Sequence, residues 1–166
     1  MNEQKLQELI DHHDIRQVLY RYCRGIDRLD EELIASVYHE GSQDNHGNFQ
    51  GEGATFAKYV IEALKASAAT THTLGQSLIS VKGNKASSET YIHAVHTREE
   101  GEETYLDHFS GRYVDKLERR EGQWGIIDRV VVWDWSKTER IEAAFYSRDD
   151  FPNGQRSRDD LCYQEV

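Results

Sequence analysis

An aspartate and a histidine are the residues of this chain whose types best suit acid/base chemistry. Asp27 lies two residues after Gly25, at the predicted end of the first helix, and His72 opens a predicted strand. Imidazole exchanges protons near neutral pH, and a carboxylate bonded to one ring nitrogen orients the ring and stabilises the imidazolium. The other nitrogen is then free to take a proton from a substrate. The alternative is structural, with Asp27 capping a turn and His72 partly buried at a strand end.

A tyrosine lies five residues before Asp27. In one continuous helix, Tyr22 and Asp27 would point about 140° apart, because each turn takes 3.6 residues. Gly25 is a helix-stop signal, so we predict that the helix over residues 3–24 ends there. With such a break the two side chains could still converge.

The other histidines give no pattern typical of a metal site. The chain has eight histidines but neither an HExxH motif nor a Cys/His ligand spacing, so we expect no metal. His93 and His96 share a predicted strand and, being three residues apart, point to opposite faces. Alternation with Ile92 and Ala94 favours His96 as the inward residue, and a slip of register by one would select His93. We assign Ile92 and His96 to substrate binding.

The last predicted strand contains an arginine beside two tryptophans. Arg129, Val131, Trp133 and Trp135 alternate along the strand and are predicted to share one face. Because inward charges are mostly paired, this pattern suggests a polar group in a mainly apolar cavity, and we assign Arg129 and Trp133 to substrate binding. The alternative is that this face meets solvent or a partner subunit.

Helical periodicity precedes strand periodicity along the chain, which predicts an α+β domain with helices on one face of a curved antiparallel sheet. Short glycine-containing turns favour hairpins between the strands. The predicted helices cover residues 3–24, 31–38 and 55–67, and the predicted strands cover 71–81, 86–98, 104–118 and 124–135. Residues 41–53 are predicted as a loop with one short strand. The domain covers residues 1–140, and 141–166 form a tail that caps a pocket or a subunit interface.

Composition excludes several classes of partner. A formal net charge of −10 disfavours nucleic acid and anionic membrane surfaces. No apolar run approaches the roughly 18 residues of a membrane span, and the first nine residues show no signal-peptide core, so we expect a cytoplasmic protein. The chain contains no glycine-rich phosphate loop, no GxSxG motif and no dinucleotide-binding fingerprint. We therefore expect an activity that needs no cofactor.

The order of these features resembles the nuclear-transport-factor-2-like superfamily, in its polyketide-cyclase-like and scytalone-dehydratase-like branch. The resemblance rests on Tyr-x-x-x-x-Asp ending a long helix, a strand that opens with histidine, and a meander that closes on Arg-Val-Val-Val-Trp-Asp-Trp. It implies a cone with one interior pocket, formed by N-terminal helices against a strongly curved antiparallel sheet. Bile-acid 7-alpha-dehydratase and hexachlorocyclohexane dehydrochlorinase are similar in site layout. The resemblance implies an Asp27–His72 dyad, with Tyr22, His96 and Arg129 as polar partners, and a dimer or trimer.

We therefore predict a cofactor-independent lyase acting on a small aromatic or alicyclic molecule, by dehydratase-like elimination or retro-aldol cleavage. His72 is the predicted base and Asp27 holds its imidazole. One alternative is an isomerase of the ketosteroid type, in which an aspartate is the base. Another is a non-catalytic module that binds small molecules.

Overall fold

Helices and one curled sheet make up the part of the chain that the computed structural model describes, residues 2–142 and 148–164. The α+β class is confirmed. The elements in chain order are α1 (Glu3–Arg28), α2 (Glu31–Ala35), β1 (Tyr38–Asn45), β2 (Gln50–Glu52), α3 (Gly53–Leu64), β3 (Ala69–Lys82), β4 (Lys85–Glu100), β5 (Glu103–Arg120) and β6 (Gln123–Ile141). Two short 3-10 turns, Arg148–Asp150 and Leu161–Tyr163, lie in the tail.

The sheet has the strand order β2-β1-β6-β5-β4-β3. Strands β3 to β6 form the predicted antiparallel meander and extend beyond the predicted bounds. Strand β1 pairs in parallel with β6, so the sheet is mixed and the predicted loop over residues 41–53 is wrong in its first half. Strand β1 was not predicted because its inward residues are polar: Ser42 and Asp44 are buried although neither is apolar.

Helix α1 continues through Gly25 to Arg28, so the predicted break is wrong. A Cβ at Gly25 would lie 2.7 Å from Cγ1 of Ile34, which shows that glycine allows α2 to approach α1 closely. The helix ends instead at Leu29, which adopts a left-handed conformation with φ 53°. Tyr22 and Asp27 therefore lie on one uninterrupted helix and face different directions.

The core lies between the helices and the concave face of the sheet. Helix α1 contributes an apolar stripe in which Ile15, Val18 and Leu19 are at most 1% exposed. Asp30 caps the N-terminus of α2, since its carboxylate accepts a hydrogen bond from the Leu33 amide at 3.0 Å.

A β-bulge in β6 separates two tryptophans that were predicted to share a face. Gly111 pairs with Trp133 and Ser110 pairs with Trp135, so Asp134 is an extra residue in the strand. The extra residue shifts the alternation, and the Trp135 ring packs against His93 on the outer face at 6.0 Å between centroids. The prediction that Trp135 shares the face of Arg129 is wrong for this reason.

The tail over residues 148–164 is fastened to the ends of α1 and α2 by polar contacts. Arg28 pairs with Asp160 at 2.9 Å. Arg158 pairs with Asp30 at 3.0 Å, and the Tyr163 hydroxyl donates to the same carboxylate at 2.8 Å. Residues 143–147, which belong to the predicted tail, lie outside the described part. Within the described ranges, no helix has both the length and the hydrophobicity needed to cross a membrane.

Candidate active site

Asp27 and His72 form a short hydrogen-bonded pair. Asp27 Oδ1 lies 2.6 Å from His72 Nδ1, and Oδ2 accepts the His72 backbone N–H at 3.0 Å. Thr70, on the same face of β3 as His72, donates its hydroxyl to Oδ1 at 3.0 Å. The two side chains are 13% and 9% exposed, so they are sheltered and still reachable. Three hydrogen bonds thus fix the Asp27 carboxylate of α1 against the first residues of β3.

This geometry sets the role of each ring nitrogen of His72. A carboxylate on Nδ1 favours the tautomer that has its proton there, which leaves a lone pair on Nε2. Among residues 2–142 and 148–164, the hydrogen bonds of His72 are made by Nδ1 and the backbone N–H, and Nε2 has no partner. The pair therefore has the arrangement of a general base held by a carboxylate.

His96 lies beside the dyad on the inward face of β4. It pairs across the strands with Thr70, and its ring centroid is 5.5 Å from that of His72. Burial disfavours the charged imidazolium and, with His72 and Arg156 nearby, lowers the pKa of His96 to about 4. Its Nε2 is buried with no partner in the described ranges. His96 is therefore a neutral group with one unused polar atom that faces inward.

A partly enclosed cavity of about 520 Å³ opens next to the dyad. It lies where α1 ends, where β3 and β5 begin and where β4 and β6 end, with the tail across it. Its lining residues are Asp27, Arg28, Ala68, Ala69, Thr70, Thr71, Thr97, Glu99, Thr104, Ile141, Asn153, Gly154 and Arg156. His72 and His96 are outside this lining, but each is in contact with a lining residue: Asp27 is hydrogen bonded to His72, and Thr70 pairs with His96 across the strands. The predicted closed interior pocket is thus a cavity at the open end of the curled sheet.

Tyr22 and Arg129 belong to a separate buried cluster. Arg129 makes two hydrogen bonds to Asp115, at 2.7 and 2.8 Å, and both side chains are fully buried. The rings of Tyr22 and Tyr113 each lie 4.2 Å from the guanidinium carbon. Burial raises the pKa of the Tyr22 hydroxyl well above its usual value. These contacts include neither Asp27 nor His72, so the structure does not join Tyr22 and Arg129 to the dyad.

A second carboxylate–histidine pair completes this cluster. His46 Nδ1 is hydrogen bonded to Asp44, and His46 Nε2 lies 3.0 Å from the Tyr22 hydroxyl. Tyr38 donates to the other Asp44 oxygen at 2.5 Å. Burial lowers the pKa of His46 in spite of the carboxylate. This pair was not predicted because β1 was not predicted; the available signal was the Asp-x-His spacing, with Asp44 in β1 and His46 directly after its end.

The two remaining predicted substrate-binding residues lie away from the cavity. Ile92 is 3% exposed and belongs to the hydrophobic core. Trp133 is on the inward face opposite Gly111, but it is 62% exposed at the rim of the sheet. Neither residue lines the cavity next to the dyad.

Sequence reasoning also missed two residues close to Asp27. Thr70 precedes His72 by two positions, so strand alternation alone places both on one face. Arg156 comes from the tail, and no local pattern indicates that it reaches the cavity. In the ranges that the structure describes, no three His, Cys, Asp or Glu side chains converge as metal ligands do.

The chain has a nuclear-transport-factor-2-like fold, which several solved structures share. A hexachlorocyclohexane dehydrochlorinase from Novosphingobium barchaimii has a TM-score of 0.71 and 16% identity, over 86% of this chain and 98% of its own. A scytalone-dehydratase-like protein from Novosphingobium aromaticivorans has a TM-score of 0.71 and 19% identity, over 82% and 93%. A protein of unknown function from Mycobacterium tuberculosis has a TM-score of 0.68 and 23% identity, over 81% and 77%.

Residues 7–130 match the family described as the SnoaL-like domain. Because the match covers most of the 166 residues, the chain belongs to this family. A search of curated proteins found no match. At these identities the solved structures establish the fold, and their activities are not transferred to this chain.

Proposed function

We propose that the protein is a cofactor-independent lyase in which His72 is the general base and Asp27 holds it. The carrying observation is the 2.6 Å contact between Asp27 Oδ1 and His72 Nδ1, which leaves Nε2 as the proton acceptor. The substrate is a small aromatic or alicyclic molecule in the adjoining cavity. The reaction is an elimination of the dehydratase type or a retro-aldol cleavage, since both begin with removal of a proton.

The neighbouring groups divide the rest of the work. Asp27 offsets the charge that develops on the imidazole, and neutral His96 donates a hydrogen bond to the departing oxygen. A positioned proton transfer contributes about 10²- to 10⁴-fold in rate. Tyr22 and Arg129, which the sequence analysis placed in the site, stiffen the core behind it through the contacts to His46 and Asp115.

The state of Asp27 also weighs against an isomerase of the ketosteroid type. In such an enzyme the aspartate itself accepts the proton, which requires a free carboxylate oxygen. Here one Asp27 oxygen is bonded to His72 Nδ1 and to Thr70, and the other accepts the His72 amide. The names of two structural neighbours, a dehydrochlorinase and a scytalone-dehydratase-like protein, both denote eliminations and so favour a lyase.

A second copy of the chain is the proposed protein partner. Neighbouring strands present Tyr91, Val114 and Val130 on the outer face of the sheet, each about two fifths exposed. Burying such apolar area between copies would stabilise a dimer or trimer. Light scattering of Val114→Glu should then show a smaller species than the parent protein; an unchanged mass would refute this interface.

The activity test is a panel of cyclic β-hydroxy ketones, hexachlorocyclohexane and aromatic aldols, followed by mass spectrometry of products. We expect elimination or cleavage with at least one member, and a loss of about 10²-fold or more in His72→Gln and Asp27→Asn. His93→Gln, on the outer face, is the matched control and should keep its activity. Turnover that survives His72→Gln, or a panel without any turnover, would contradict the proposal.

A further inference from the structure

Arg156 is a tail residue whose guanidinium is only half satisfied by the protein. Its Nη1 donates to the backbone oxygens of Leu64 and Ser67, at 2.7 and 2.5 Å, where α3 ends. Its Nε and Nη2 are buried and have no partner among residues 2–142 and 148–164. Buried donors of native proteins are nearly always paired, so two unpartnered nitrogens on one cation call for an explanation.

The surroundings of these two nitrogens point to a ligand. Arg156 lines the same cavity as Asp27 and Thr70. Its charge acts on both Asp27 and His96, which places it near the dyad. Of the other charged residues in the lining, Arg28 is engaged by Asp160 and Glu99 is exposed. Among the lining residues that the structure describes, Arg156 is therefore the cation that remains available inside the cavity.

The guanidinium is also held in place before any ligand arrives. Residues on both sides of it fasten the tail: the Gln155 oxygen accepts from Arg28 at 2.9 Å, and Arg158 pairs with Asp30 at 3.0 Å. With Nη1 fixed on the end of α3, the planar group leaves Nε and Nη2 side by side. Two parallel N–H donors of this kind match two lone pairs of one oxygen anion or the two oxygens of a carboxylate.

We propose that Arg156 binds an anionic oxygen of the substrate, next to the carbon from which His72 takes its proton. That oxygen is either a carboxylate already present or a carbonyl oxygen that becomes an enolate. This inference rests on the proposed lyase function and adds the substrate class. His96, whose Nε2 has no partner in the described ranges, lies beside the same dyad.

For a β-hydroxy carbonyl substrate the step balances without a co-reactant. The α-proton moves to His72 Nε2, and the C–H electron pair forms the enolate, whose oxygen faces Arg156. The carbonyl then re-forms as a carbon–carbon double bond arises and the β C–O bond breaks. The departing hydroxide takes the proton back from His72 and leaves as water.

The binding test uses benzoate, with benzyl alcohol as the neutral comparison, measured by calorimetry. We expect Arg156→Gln to weaken benzoate at least about tenfold, because charge-assisted paired hydrogen bonds are the strong class, and to leave benzyl alcohol unchanged. Arg156→Lys should lie between, since it keeps the charge but not the fork. Arg120→Gln, an exposed arginine at the other end of the sheet, is the matched control.

A kinetic test separates the two sources of the oxygen. If Arg156 binds a carboxylate already present in the substrate, Arg156→Gln should raise KM. If Arg156 binds an oxygen that becomes an enolate, the variant should lower kcat for a cyclic β-hydroxy ketone and leave KM unchanged. Hydrogen exchange of residues 148–164 must show that the variant keeps its tail docked. If Arg156→Gln keeps its tail docked and changes neither benzoate affinity nor ketone turnover, Arg156 has only a structural role and the inference is wrong. Arg156-dependent binding without any His72-dependent turnover would instead overturn the lyase function alone.

Discussion

Protonation of His96 should make the protein lose stability as the pH falls from 7 towards 4. Burial holds the pKa of His96 at about 4, whereas in the unfolded chain a histidine titrates near 6.5. Between these values the unfolded state binds a proton that the folded state does not, so folding weakens as pH falls and the loss is complete near pH 4. A difference of about 2.5 units corresponds to about 3 kcal/mol.

The assay is urea unfolding followed by tryptophan fluorescence at a series of pH values, for the parent protein and His96→Gln. Other groups titrate in both proteins, so the informative quantity is the difference between their free energies of unfolding. We expect this difference to change by as much as about 3 kcal/mol between pH 7 and pH 4, with the parent losing more. His93→Gln, on the opposite face of β4, controls for loss of a histidine from the same strand.

A constant difference between the parent and His96→Gln over this pH range would refute the reasoning. It would mean that His96 takes up its proton equally well in both states.

Three further perturbations test the packing around the site. Asp115→Asn leaves a buried arginine without its counter-charge and should lower the free energy of unfolding by about 3–5 kcal/mol, while Asp128→Asn, at an exposed pair, should cost below about 1 kcal/mol in the same urea titration. Gly25→Ala brings a methyl to 2.7 Å from Ile34, and this clash should lower the free energy of unfolding by about 1–3 kcal/mol. The higher helix propensity of alanine opposes this loss by about 1 kcal/mol. The Cys162 amide and other donors hold the pKa of Asp160 below its usual value, so its contribution is complete above about pH 3.9 and is lost as the pH falls further. Hydrogen exchange of the tail should accelerate in that acid range, and Asp160→Asn should show fast exchange already at neutral pH.

Sequence periodicity predicted the meander well because β3 to β6 bury apolar side chains at alternate positions. It missed β1 because the inward residues Ser42 and Asp44 are polar and meet buried polar partners. It misplaced the end of α1 because Gly25 permits close helix packing, and nothing local distinguishes that use from a helix stop. Asp134 shows the same limit, since a bulge is set by the pairing of two strands.

The candidate site divides along similar lines. Asp27 and His72 were accessible as a pair through the resemblance, and Thr70 follows from strand alternation. The contribution of Arg156 depends on where a tail folds back, which only tertiary contacts decide. Arg129 was expected to meet a substrate, but its partner is Asp115, fourteen residues earlier on the neighbouring strand.

The most direct test of the central claim is the ¹⁵N spectrum of the His72 ring at about pH 8, above the usual range of imidazole titration. The account predicts a proton on Nδ1 and a bare Nε2, with this preference lost in Asp27→Asn. A proton on Nε2 in the parent protein would contradict it, because His72 would then have no lone pair facing a substrate and could not act as the base.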